Sequence, residues 1–381
     1  MMIKKSLVFI ALLGVLSGCG VKSPQIQGPP EKFQSLSDEV SEESPLPDPK
    51  VNILFVVDNS GSMKDYQNKM AENIELFANA FFENTRIDYR IGVVPVYDSK
   101  YLNDEKVYAK NGRRKMNPLG ELVTLKDAAG VTMPGELFIT RATPSPKAVL
   151  KNTVTIGVQW GPEAEESFSP VLAVTDPEHN VQKNNGFYES DAYFAVIFLT
   201  DADDVTPGVS AESFYQHLVG LKGGDRSKVL IAAALPDLKN PRLNKKGSDC
   251  KTDGLGPIQA FPALLSVSGG IFADLCSENF GFHLAAFGNH LAQRVAAQKK
   301  PLKFTPDIKT LKVTYGTKDE IKPFELLRPR DYAFDPETNE IILDPYLKLP
   351  VKEGATLRIQ AKPVSLGNLK NGRVNPISIR R

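Results

Sequence analysis

The chain has 381 residues, 41% of them hydrophobic, with 46 Lys and Arg against 45 Asp and Glu for a net charge of +1. That length accommodates one large domain and something smaller, and the apolar content is that of a globular protein rather than a disordered one. A near-neutral balance leaves no electrostatic footprint for nucleic acid.

Lys4 and Lys5 precede the apolar stretch SLVFIALLGVL at 6–16. It is too short to span a bilayer as a stable helix and reads as the core of a secretory signal. The tetrapeptide LSGC at 16–19 resembles the lipobox of bacterial lipoproteins, a small-residue cleavage site directly before an acylated cysteine. The resemblance implies that 1–18 is a signal peptide and that Cys19 becomes the lipidated first residue of the mature protein. Acyl chains at ~0.8 kcal/mol per buried methylene then anchor the chain without a transmembrane helix. Gly20, in place of the aspartate that retains lipoproteins at the inner membrane, implies an outer-membrane location in the cell envelope, periplasmic or surface-exposed. Two further cysteines, Cys250 and Cys276, remain. In an exported protein such a pair is expected to form a disulfide, the alternative being two buried free thiols.

Residues 19–49 are rich in Pro, Ser, Glu and Gln and read as a disordered tether. From Val51 the pattern changes. VNILFVV at 51–57 is an apolar run of the kind expected in a strand covered on both faces. Met70, Ile74, Phe77 and Phe81 then recur at helical spacing. Further strands are predicted at 88–96, 192–200, 227–235 and 269–275. Helices are predicted around Phe214–Leu221 and Ile258–Leu265, and along the stripe Phe280, Leu284, Phe287 and Leu291, with Ser277 as the N-cap of the last. Strands alternating with amphipathic helices over 50–300 predict an α/β fold with a doubly wound, Rossmann-like sheet flanked by helices.

After Pro301 the periodicity becomes that of strands: LKVTYG, LRIQA and the two ends of YAFDPETNEIIL alternate around a turn cluster. Residues 301–381 are therefore expected to form a small, all-β, sandwich-like domain with a C-terminal tail.

The sequence NILFVVDNSGSMKDYQ at 52–67 brings Asp58, Ser60 and Ser62 to the end of the first predicted strand, and FLTDADD brings Asp201, Asp203 and Asp204 to the end of another. Open α/β sheets bind ligands beyond the carboxyl ends of their strands. Carboxylate and hydroxyl oxygens are hard donors suited to Mg²⁺, Mn²⁺ or Ca²⁺. DNSGS after an apolar strand resembles the DxSxS motif of von Willebrand factor type A domains, and FLTD resembles the strand and aspartate that complete their metal-ion-dependent adhesion site. The likeness covers about residues 50–300. It implies a central sheet flanked by helices, a Mg²⁺ site formed by Asp58, Ser60, Ser62 and Asp201, and an open coordination position for an acidic side chain of a protein partner. The family also supplies a threonine from an intervening loop. Here the stretch 157–174 offers Glu163, Glu165, Glu166 and Ser167 instead, making Glu163 and Glu165 further metal-site candidates. A glutamate in that role would add charge at the cation and favour a resident structural ion over one that captures a ligand.

Other chemistry lacks its parts. The four histidines form no His-x-x-x-His pair, and there is neither a Gly-x-Ser-x-Gly elbow nor a Walker loop, so no enzyme activity is expected. Lys100, Lys106, Lys110, Arg113, Arg114 and Lys115 make part of 97–150 basic, either as a solvated decoration or as a specificity surface. The expected function is a lipid-anchored envelope protein that binds an acidic partner through a metal site; the alternative is an assembly role in which the metal is only structural.

Overall fold

The computed structural model describes residues 39–45, 49–82, 87–99, 118–158, 164–252, 257–297, 299–345, 347, 349 and 354–364. Cys19, most of the expected tether, the basic residues from Lys100 to Lys115, Glu163 and the C-terminal tail lie outside them.

The run predicted at 51–57 is strand β2 (Lys50–Val57), buried from Val51 onward. Parallel partners lie on each side, β3 (Asp88–Pro95) and β5 (Tyr193–Leu199). Beyond β5 come β6 (Val229–Leu235) and β7 (Ile271–Asp274), both parallel, while the two-residue β4 (Phe138–Ile139) runs antiparallel to β3. The result is a mixed six-stranded sheet in the order β4-β3-β2-β5-β6-β7.

The pleat of β2 assigns its side chains alternately to two cores. Val51, Ile53, Phe55 and Val57 enter a cluster with α1 (Lys64–Phe82), α2 (Pro146–Val154) and α7 (Phe280–Ala296). Leu54 and Val56 enter another with α3 (Phe168–Thr175), α5 (Ala211–Leu221) and α6 (Ala260–Ser268). Helices thus cover both faces, which is why β2 has no polar face. All four apolar residues of the α1 stripe are buried, and Phe55 meets Phe77 edge-on at 5.6 Å. On the other face Phe168 stacks on Phe214 at 4.3 Å.

The stretch between β3 and β5 reads as irregular in sequence but holds β4, α2, α3 and α4 (Pro177–Asn184). Its local signals are Ser145-Pro146 and Asp176-Pro177, a polar residue followed by proline at the start of a helix. Asp176 accepts the N–H of His179 at 2.9 Å. At the final helix the expectation needs correcting: the N-cap position is Asn279, and Ser277 Oγ instead accepts the N–H of Asn279 at 3.0 Å, one turn-forming bond ahead of the helix.

Two antiparallel sheets make up the remainder. β1 (Val40–Pro45), β13 (Thr356–Ala361), β9 (Lys312–Gly316) and β10 (Phe324–Leu326) form one in that order. β11 (Tyr332–Asp335), β12 (Glu340–Leu343) and β8 (Lys299–Pro301) form the other. Val313, Ile359, Tyr332 and Ile341 share one core between them. β1 corrects the tether assignment over 40–45. Its sequence VSEESP has no apolar alternation, but β1 is an edge strand, where polar residues and a terminal proline cost little. Glu43 pairs with Arg358 at 2.9 Å across the ladder. None of the described helices is long and apolar enough to cross a membrane.

Candidate functional site at the carboxyl ends of β2 and β5

The parallel ladder continues past the ends of its strands. The N–H of Asp58 donates to Leu199 O at 2.9 Å, and that of Thr200 to Ala234 O at 3.2 Å, fixing Asp58 beside Thr200 and Asp201. The chain then turns sharply: Asp58 Oδ1 accepts the N–H of Ser60 at 2.7 Å, a side chain mimicking a backbone turn. A 3₁₀ turn at Gly61–Met63 leads into α1. This compact turn carries the hydroxyls of Ser60 and Ser62 back over the strand ends.

The four residues expected to form the site come together. Ser60 Oγ and Ser62 Oγ are 3.1 Å apart, and Ser62 Oγ donates to Asp201 Oδ1 at 2.9 Å. Asp58 Oδ2 accepts the hydroxyl of Thr200 at 2.8 Å. Asp58 and Asp201 are both 0% exposed, while Ser62 is open to solvent. Gln67, one turn into α1, donates to Asp58 O at 2.8 Å and also pairs with both backbone groups of Gly157. The site residues read from the sequence motifs include neither Thr200 nor Gln67. The threonine of FLTD was its own signal, a hydroxyl at the same strand end; Gln67 carries none, because its partners lie far away in the chain.

These groups fit a hard divalent cation. Adjacent ligands of an octahedral ion at about 2.1 Å stand ~2.9 Å apart. The Ser60–Ser62 and Ser62–Asp201 oxygen separations of 3.1 and 2.9 Å are already of that size. Among the described residues no three His, Cys, Asp or Glu side chains gather as a metal-holding group; the donors here are two carboxylates and two hydroxyls.

The third loop is positioned by backbone pairing. Tyr97 and Glu166 exchange both of their backbone hydrogen bonds, and Val205 N donates to Glu165 O at 3.2 Å. Glu165 is 3% exposed and so is held in the interior next to the loop that follows Asp201. Glu166 is committed elsewhere: its carboxylate accepts from the backbone and hydroxyl of Ser99 and from Ser169 Oγ. Ser167 Oγ is buried with no hydrogen-bond partner among the described residues.

Asp203 and Asp204 do not extend the site. Asp203 accepts the N–H groups of Gln259 and Ala260 at the start of α6. Asp204 accepts those of Ser167 and Phe168 at the start of α3, along with the Thr206 hydroxyl. Adjacent aspartates thus cap two different helices. Burial pushes the Asp204 carboxyl up to about 6, against the pull of its donors.

Cys250 and Cys276 form the expected disulfide. Tyr66 on α1 lies beside it, its hydroxyl donating to Lys251 O at 2.7 Å and accepting the Lys251 N–H at 2.6 Å. Burial pushes the Tyr66 phenol up to about 12.

Neither a protein-family model nor a curated protein matches the chain. Among solved structures, proximal thread matrix protein 1 from the mussel byssus is similar at 12% identity and a TM-score of 0.34, over 68% of this chain and 50% of that one. The pilus adhesin SpaC from Lactobacillus rhamnosus GG, in its open conformation, is similar at 10% identity and a TM-score of 0.33, over 84% of this chain and 40% of that one. The chain therefore spans half or less of the length of these proteins. The scores are too low for either likeness to bear on fold or function.

Proposed function

We propose that the chain is a lipid-anchored cell-envelope protein, held through Cys19, that binds a protein partner by an acidic side chain at a divalent-cation site. In this reading the six-stranded sheet is the doubly wound sheet of a von Willebrand factor type A domain. The observation that supports it most is the hydrogen-bonded chain Ser60–Ser62–Asp201, with Asp58 held beside it.

Ser60, Ser62, Asp58 and Asp201 would hold Mg²⁺ or Mn²⁺, with Ca²⁺ the looser fit, and Glu165 or Glu163 would stand where the family has threonine. When bound, such an ion supplies a Lewis-acidic position for a carboxylate oxygen. The protein's own residues do the positioning. Thr200 and the Ser60 N–H fix both oxygens of Asp58. Gln67 ties the turn to the segment after α2. Solvent access at Ser62 leaves the partner a direction of approach.

One observation favours a second reading, an envelope assembly protein whose site is structural or degenerate: both oxygens of Asp58 already have donors within the protein. Calorimetric titration of Mn²⁺ and Mg²⁺ into the mature chain, beside an Asp58→Ala/Asp201→Ala control, tests the site, and capture of an acidic partner with and without chelator separates the two readings. Saturable one-site binding absent from the control, with chelator-sensitive capture, supports the first. No heat from the wild type, or metal binding with no effect on capture, leaves the second.

A further inference from the structure

Residues 237–252, which follow β6, carry five basic residues, Lys239, Arg242, Lys245, Lys246 and Lys251, against two acidic ones, Asp237 and Asp249. The local net charge is +3, in a protein whose total is +1. The segment forms neither helix nor strand, yet it is pinned at many points. Asp274, the last residue of β7, accepts the N–H of Asp237 at 2.9 Å and Asn240 Nδ2 at 2.8 Å. Asn244 N donates to Cys250 O at 2.8 Å, Asn244 Oδ1 accepts the N–H of Thr252 at 3.1 Å, and Cys250 is bonded to Cys276. A loop ordered in this way loses little further entropy when a partner docks on it, and compact surface loops of this kind frequently carry function.

The loop lies beside the candidate cation site. β6 is the neighbour of β5, so the loop leaves the same edge of the sheet as Asp201. Tyr66, four residues after Ser62, exchanges two hydrogen bonds with the backbone of Lys251. It is also near enough to Asp201 for that carboxylate to add to the rise in its phenol pKa. Lys239, Lys245, Lys246 and Lys251 are exposed, as is Ser62. Arg242 is paired with Asp249, and the Asp237 carboxylate accepts the N–H of Lys239. The loop therefore presents the compact charges of lysines, which meet carboxylates without a fixed geometry, rather than a free arginine fork suited to phosphate.

We infer that residues 237–252 form an electrostatic docking face for an acidic surface of a protein partner. Lys239, Lys245, Lys246 and Lys251 draw the partner's carboxylates toward the strand ends and hold them at the rim of the site, while the disulfide keeps the lysines in place beforehand. Rim charges of this kind act mainly on the rate of encounter. That the partner's groups are carboxylates follows from the neighbouring cation site, and on that point the inference rests on the proposed function; the basic face itself needs no bound ion.

The test uses the full chain and acetyl-Glu₆-amide, with acetyl-Gln₆-amide as the uncharged control, at ~0.01 M and ~1 M salt. Lys245→Glu/Lys246→Glu reverses two exposed charges of the loop, and Lys309→Glu/Lys318→Glu makes the same change on exposed lysines either side of β9. At low salt the loop variant is expected to bind the Glu peptide about tenfold more weakly, through slower association, and the β9 variant within about twofold of wild type. At high salt the difference should close. Equal losses in the two variants assign the effect to the protein's total charge and overturn the docking face. It is overturned as well by unchanged affinity in the loop variant, by equal binding of the Gln peptide, or by no binding of the Glu peptide at low salt, including the case in which anionic phospholipid vesicles bind through these lysines instead. Mn²⁺ titration and a repeat in chelator read the cation site separately. Loop-dependent peptide binding that persists in chelator supports the face even where Mn²⁺ fails to bind and the cation reading is lost. Chelator-sensitive binding that the loop variant leaves intact keeps the cation site and overturns the face.

Discussion

Thr200 donates its hydroxyl to Asp58 Oδ2 at 2.8 Å, joining the ends of two neighbouring parallel strands through their side chains. The same hydroxyl accepts the N–H of Ala202 at 3.0 Å, so one oxygen orients both the aspartate of the first loop and the backbone leading away from Asp201. Thr200→Val keeps the shape and removes both bonds. Its expected effect on the fold is a loss of ~1–3 kcal/mol, because a buried carboxylate oxygen loses its donor. Its expected effect on the site is a fall of ~10–100-fold in Mn²⁺ affinity, typical of losing an orienting group behind a ligand. Urea titration and calorimetry on the same sample read the two separately.

Asp203 and Asp204 are adjacent in sequence but cap α6 and α3 respectively. Replacing either with Ala should cost ~1 kcal/mol, seen as a lower urea midpoint. Asp204 has a pH signature as well. Burial raises its folded pKa from 3.8 to about 6, so between those values the native state holds more protons than the unfolded chain. Stability from this group is full below the unfolded pKa and is lost as pH rises through about 6. Asp204→Asn should remove that fall. The difference between wild-type and variant urea midpoints, followed from about pH 4 to 7, isolates it from carboxylates of opposite sign such as Asp335, whose pKa its backbone donors lower.

The elements that read clearly in the sequence are those whose burial is dictated locally. β2, β5 and β6 are continuous apolar runs because helices cover both faces of the sheet. α1 and α7 each carry an unbroken stripe. The polar β1 was hidden because an edge strand draws its order from the ladder with β13, more than 300 residues away in the chain. That the candidate site residues meet was legible because each follows a strand, and the sheet fixes where strands end. The roles of Asp203 and Asp204 were not, since the helices they cap begin at Phe168 and Ala260, and no local pattern links them.

The Cys250–Cys276 bond closes a loop of 26 residues that contains α6. Chain-entropy arguments put its contribution at ~3 kcal/mol. Cys250→Ser/Cys276→Ser should lower the urea midpoint accordingly. Tyr66 would then keep its bonds to Lys251 without a covalent tie nearby, so Tyr66→Phe should cost more in the cysteine-free chain than in the native one. A double-mutant cycle measures that coupling.

Gly120 has φ +65°, and a Cβ there would lie 2.5 Å from the Cβ of Ala173 on α3. Its carbonyl accepts from Asn184 Nδ2 at 2.8 Å, while Asn184 Oδ1 accepts the N–H of Leu122 at 2.9 Å. Asn184, the last residue of α4, therefore pins the chain on both sides of Glu121, with Gly120 lying against Ala173 of α3. Gly120→Ala combines backbone strain with a clash between two atoms that have no rotamer to relieve it. It should destabilise by ~2–4 kcal/mol, measured by thermal unfolding.

The oxygens at the strand ends also predict which cation is preferred. Separations of 3.1 Å for Ser60–Ser62 and 2.9 Å for Ser62–Asp201 compare with ~2.9 Å between adjacent ligands around Mg²⁺ and ~3.3–3.7 Å around Ca²⁺. Mg²⁺ or Mn²⁺ can replace the hydroxyl hydrogen bonds with little movement of the strands, whereas Ca²⁺ must spread the Ser60–Ser62 turn against the Asp58 Oδ1–Ser60 N–H bond. Mn²⁺ and Mg²⁺ should therefore bind more tightly than Ca²⁺, and competition titrations read the order directly. Ser62 belongs to both separations and is exposed. Ser62→Ala should thus abolish most of the preference with little effect on unfolding, and a Ca²⁺ affinity equal to that of Mn²⁺ in the wild type would show that the turn is not held at these distances.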